Sequence, residues 1–153
     1  AAELSVPMVS KDALKEQLAD AYPAVPVASF GPIAMETTWR LVGEMPGTVI
    51  LDAWLFRPRD LGFVKAGLER CCATMVVEIW CDLPPELARR RYEARVRHAV
   101  HRDARRMAES WAEWSALAGP LDVGLTLRVR TDRAVDVAGL AASVQAMAGG
   151  NDS

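Results

Sequence analysis

With 153 residues, 51% of them apolar, and a formal net charge of −2, the chain has the size and hydrophobic content of one globular domain. Nothing in it reads as a membrane span or a signal peptide, and the near-neutral charge argues against a general nucleic-acid binder, which would carry a strongly basic surface. The three cysteines, Cys71, Cys72 and Cys81, lack the C-x-x-C spacing of a zinc or dithiol site, so reduced thiols in a cytoplasmic setting are expected, with Cys71 and Cys72 in or near the core.

Residues 1–4 (AAEL) read as the last turn of a helix, and the first methionine is Met8, so a preceding N-terminal segment is expected. Residues 5–10 (SVPMVS) read as a strand, and residues 12–20 place Leu14 and Leu18 on one face of a helix. Ser10 and Asp12 both suit a helix start, which makes capping one reading of Asp12. Residues 22–31 form a Pro- and Gly-marked loop, and Pro32 opens a helix to Glu44 with Trp39, Val42 and Met45 on its buried side. Residues 48–51 (TVIL) are the apolar run of a parallel strand, closed by Asp52. Ligands of open parallel sheets collect at the carboxyl ends of strands, so Asp52 is either a site acid or a loop cap.

Residues 57–60 read as a connection, and Leu61, Val64, Leu68 and Cys71 or Cys72 give the next helix its apolar stripe. Residues 74–81 (TMVVEIWC) are a third strand. Residues 84–106 then concentrate Arg89, Arg90, Arg91, Arg95, Arg97, Arg102, Arg105 and Arg106 against Glu86, Glu93 and Asp103. Arg91 and Arg95 are four apart and would share a helical face, where guanidinium forks suit phosphate or carboxylate; the alternative is a solvated charged face. His98 and His101 are too few for a metal site, and a mobile polar loop is expected around them. Met107, Trp111, Trp114 and Ala118 mark another helix, stopped by Gly119 and Pro120. Residues 125–130 (LTLRVR) alternate as an edge strand, and Asp136 caps a last helix ended by Gly149 and Gly150. The reading is one domain over residues 1–148, an arginine-rich lid at 84–106, and a frayed tail at 149–153.

Four passages in this order, SKDALKE, TVILDAWLF, CDLPPELARRRYEARVRHAVHRD and LRVRTDRAVDVAGLAASV, resemble the AAA_33-type P-loop kinases, a group similar to zeta toxins, chloramphenicol phosphotransferase and polynucleotide 5′-hydroxyl kinases. The resemblance implies an α/β fold, a three-layer parallel sheet between helices, binding ATP and Mg2+ and passing the γ-phosphoryl group to a small-molecule or nucleotide hydroxyl. It gives Asp12 the place of the acid that orients the acceptor, puts Asp52 near substrate and metal shell, and makes Arg91, Arg95 and Arg97 lid groups over the phosphates. Arg57 would face the acceptor and Arg133 the adenine. No metal-ligating residues are assigned.

The departure from the family is at the phosphate loop, for no glycine here is followed by lysine. The resemblance therefore implies a fold whose first, central strand is lacking, its place left to a neighbouring segment, water or a second chain. On that expectation ATP binds weakly or not at all to this chain. The alternative function is a non-catalytic nucleotide-, anion- or partner-binding module of the same fold; an arginine-driven RNA binder is a third.

Overall fold

The computed structural model describes residues 1–149. Its elements alternate in the manner of an α/β protein: β1 (Met8–Ser10), α1 (Lys11–Ala21), α2 (Val27–Glu44), β2 (Ile50–Asp52), α3 (Arg57–Arg70), β3 (Val77–Asp82), α4 (Pro85–Ala94), a 3₁₀ turn (Ala99–His101), α5 (Asp103–Leu117), β4 (Leu125–Arg130) and α6 (Val137–Gly149). The expected tail beyond Gly149 lies outside the described residues.

The strands are parallel, as expected, and the sheet is divided, as the expectation of a lacking central strand allows. Among the described residues the four strands make two separate parallel pairs, β1 with β2 and β3 with β4. The registers pair Ser10 with Asp52 at one carboxyl end and Asp82 with Arg130 at the other. The break falls between β2 and β3, so each has a strand neighbour on one edge alone. Strands this short are held by the helices packed on them, since an isolated strand pair is marginal in water.

Local chemistry explains where the helices depart from expectation. Residues 1–5 form consecutive turns, with Leu4 and Ser5 N–H groups donating to Ala1 and Ala2, rather than a helix end. Ser10 takes the cap of α1 by accepting from the Ala13 N–H at 3.4 Å, which removes capping as the role of Asp12. Helix α2 starts five residues before Pro32 and runs through it. Gly31 permits this: the proline ring clashes with the Cβ of a preceding helical residue, and glycine has none. Residues 57–60 are likewise helical, because Pro58 suits a first turn and the Asp60 carboxylate accepts the Phe56 N–H at 2.8 Å.

The core joins Trp39 of α2, Val64 of α3 and Leu121 before β4, with Leu51, Leu61, Leu68, Cys71 and Val123 packed around them. Cys71 is half-buried, with its thiol 3.3 Å from the Trp39 carbonyl and its pKa raised by burial; Cys72 and Cys81 are exposed, so the near-core expectation holds for Cys71 alone. Helix α3 approaches α2 closely enough that a Cβ at Gly67 would overlap the Trp39 indole. Gly67→Ala is therefore expected to destabilise the fold by about 1–3 kcal/mol, the usual scale of overpacking, in urea unfolding monitored by tryptophan fluorescence. An unchanged midpoint would show that α2 and α3 are free to separate.

Candidate functional site

The site forms where the start of α1 meets the chain between α4 and α5. Parallel pairing sets Ser10 opposite Asp52, so Asp12, in the first turn of α1, and Asp52 stand at one rim, at the carboxyl ends of β1 and β2. Asp52 is exposed and makes no side-chain hydrogen bond among the described residues. Asp12 is partly buried: Arg97 donates to its Oδ2 at 2.5 Å, and Lys11 lies 3.4 Å from its Oδ1. Burial works against the Asp12 charge, but Lys11, Arg97 and His101 outweigh it and hold its carboxyl below the usual range.

The arginine-rich stretch is not one helix. Helix α4 ends at Ala94, and Arg95 is extended, with φ −78° and ψ 140°. Arg91 and Arg95 thus do not share a helical face, which corrects the expectation. The reason lies in what Arg95 gains off the helix: its guanidinium stacks 3.8 Å from the Tyr92 ring centroid and donates to Asp103 at 3.1 Å. The Tyr92 hydroxyl donates to the same carboxylate at 2.9 Å, and Arg97 lies 3.8 Å from it. A continuous chain of charges, Arg95, Asp103, Arg97, Asp12, therefore runs from the segment to the rim.

The other assigned residues stand apart. Arg91 is exposed in the last turn of α4 with no ion pair among the described residues. Arg57 is committed to the loop before β4, pairing with Asp122 and donating to the Pro120 carbonyl at 3.3 Å. Arg133 is exposed beyond β4. An open depression of about 530 Å³ is lined by Arg95, Arg97, His98, Arg102, Asp103 and Arg105, with neither Asp12 nor Asp52 on its wall.

Sequence reasoning missed three residues here. His101 is only 2% exposed, and its Nε2 lies 2.7 Å from Glu16 Oε1, so the loop around it is not a free one. Its partner Glu16 sits on the α1 face that carries Asp12, a helical turn further on. Lys15 is buried, at 7% exposure, and donates to no protein group among the described residues. Burial, Lys11, Arg106 and Arg97 all push its pKa down, with Asp12 opposing them. Arg106 likewise has no acidic partner among the described residues and stacks over Trp114. The spacing Asp12, Lys15, Glu16 was the available signal, three charged residues on one helical face.

Lys11, Lys15, Arg97 and Arg106 thus gather with the carboxylates of Asp12, Glu16 and Asp103, four cations to three acids. The excess of one cation leaves Lys15, whose stem is buried while its ammonium reaches solvent, open to a bound anion. The described residues contain no group of three His, Cys, Asp or Glu placed to hold a metal ion. No helix among them is long and apolar enough to cross a membrane.

No family model matches the sequence, and no curated protein matches it. A solved structure does match: a protein from Chloroflexus aurantiacus J-10-fl, described as a "putative kinase", superposes with a TM-score of 0.66 at 17% identity over 96% of this chain and 86% of its own. The chain therefore shares that protein's α/β fold over nearly its whole length.

The unpaired ammonium gives a direct test of the site's electrostatics. In buffer without phosphate or other multivalent anions, Lys15→Met should be close to neutral, within about 1 kcal/mol in chemical denaturation, because it keeps the buried stem's volume and removes an ammonium that reaches solvent. A loss of more than about 1 kcal/mol would mean that the protein itself compensates Lys15.

Proposed function

We propose that this chain supplies the acceptor site and cationic cover of an ATP-dependent phosphotransferase, a kinase of a small-molecule or nucleotide hydroxyl on a P-loop-type fold. One observation carries the reading: Arg97, from the arginine-rich segment, meets Asp12 at the carboxyl end of a parallel strand, with Asp52 at the same rim. The fold likeness to the Chloroflexus protein agrees with it.

In this reading the acceptor hydroxyl donates its hydrogen bond to Asp12. A carboxylate held below its usual pKa stays ionised, so its main work is to orient the acceptor, with the proton passing to it late in the transfer. Lys15 and Arg106 hold an anionic group on the acceptor, and Arg95 and Arg97 offset the negative charge that grows on the transferring oxygens. Arg91 and Arg133, both exposed, are left to face the nucleotide.

ATP with magnesium would supply the phosphoryl group. Magnesium is compatible with the rim, since it takes one or two carboxylates and fills its shell with phosphate oxygens and water, and Asp52 is such a carboxylate. The nucleotide phosphates fit only in part. Guanidinium groups are present, but with no Gly-Lys step the main-chain phosphate cradle has to come from outside these 153 residues.

That same feature, together with the cation surplus around Lys15, favours a second reading: a binding module that holds an anion without turnover. Assaying the full-length gene product with Mg–ATP and a panel of hydroxyl acceptors separates the two. The kinase reading expects acceptor-dependent ADP release, and expects Asp12→Asn to lower kcat by about 10²-fold or more while ATP affinity changes little. Equal loss of both would leave Asp12 a structural residue, and no acceptor-dependent release across the panel would favour the binding module.

A further inference from the structure

We propose that residues 95–102 form a proton-operated strap over Asp12, held shut by a neutral imidazole at His101 and released when it is protonated. The proposal does not depend on the kinase reading.

The chain has two histidines, and both belong to this strap. His98 Nε2 lies 3.0 Å from Asp20 Oδ1, while its Nδ1 accepts the Val100 N–H at 3.1 Å. A carboxylate can only accept, so Nε2 carries the ring proton and Nδ1 is bare. Adding a proton at Nδ1 removes the acceptor that starts the 3₁₀ turn.

His101 is held differently and more tightly. Its Nε2 lies 2.7 Å from Glu16 Oε1 and 3.1 Å from Arg97 Nη2. One ring nitrogen cannot donate to the carboxylate and accept from the guanidinium at once. In the neutral ring the two contacts compete. In the imidazolium Glu16 wins outright, and Arg97 faces a cation at contact distance. The charged and titratable groups facing His101 are Glu16, Asp12 and Lys15 of α1 and Arg97 of the strap; those facing His98 are Asp20 of α1 and the Val100 amide.

The direction follows from linkage. Burial lowers the His101 pKa below its ordinary 6.5, Glu16 opposes this, and Arg97 adds to it, so the closed strap binds the proton less well than the open one. Falling pH through 6.5 must then favour opening. The backbone is set for release as well. Arg102 has φ 51° and ψ 43°, a left-handed conformation that costs a non-glycine residue roughly 1–2 kcal/mol. Opening relaxes it and uncovers Asp12, from which Arg97 swings away.

Amide hydrogen exchange on the 153-residue chain, corrected for the intrinsic pH dependence of exchange, tests this. The reporters are the Val100, His101 and Arg102 amides, which donate within the turn, and the controls are the Leu125 and Thr131 amides, which donate to the Val76 and Asp82 carbonyls across the β3–β4 pair. Between pH 7.5 and 5.5 the reporters should lose protection by up to about tenfold, the ceiling for one proton bound by the open form at its ordinary 6.5, while the controls hold. In His98→Asn/His101→Gln the loss should vanish, because Asn can accept the Val100 N–H and Gln can donate to Glu16 while accepting from Arg97, and neither titrates. Reporter protection that does not change with pH in the natural chain would overturn the proposal, as would an equal loss in the variant. If the variant does not fold, the natural chain decides: loss confined to the reporters supports the strap, and parallel loss in the controls refutes it.

Discussion

One charged contact, Arg97 with Asp12, backed by His98 with Asp20 and His101 with Glu16, holds the two functional parts of this molecule together. Arg97 and Asp12 are 85 residues apart, and their pairing brings the arginine-rich segment back onto the first turn of α1. Little else on the segment could do so by packing: α4 has no buried residue, and between it and α5 only Val100 and His101 are fully enclosed. Hydrophobic burial places the helices α2 and α3 and the loop before β4, but polar contacts decide where the strap lies. A region held in this way opens more easily than the core, since few apolar contacts resist its departure.

How far the sequence discloses this arrangement depends on the kind of interaction involved. The alternation of Leu125, Thr126, Leu127, Arg128, Val129 and Arg130 marks β4 to the residue, because a period of two leaves no other conformation with one apolar face. The α/β order was legible in the same way. Less legible were the boundaries governed by single residues: Pro32 lies inside α2 because Gly31 precedes it, and α3 starts early because Asp60 reaches back to Phe56. Division of the strands into two pairs could be approached only through a family resemblance, since pairing is a long-range property that no local pattern encodes.

The site was legible in its parts and not in its assembly. Asp12, Arg95 and Arg97 stand out by residue type and position, yet α4 stops before Arg95, and Arg97 rather than Arg91 reaches the acid. Lys15, Glu16 and His101 were overlooked because each is ordinary in sequence and becomes unusual only by burial or by its neighbours. Arg57 shows the converse: an arginine after a strand end invites a functional reading, but Asp122 and the Pro120 carbonyl give it a structural one. What the fold creates beyond the sequence is a small excess of cations around Lys15, beneath a segment whose closure is itself electrostatic.

A double-mutant cycle on Asp12→Ala and Arg97→Ala tests this dependence most directly, with unfolding free energies measured by urea denaturation at pH 7.5 and low ionic strength. A contact that holds the strap in place should show a coupling energy of at least about 1 kcal/mol, above the few tenths typical of solvent-exposed ion pairs. Additive single-mutant effects, within about 0.3 kcal/mol, would mean that the strap is positioned without the pair.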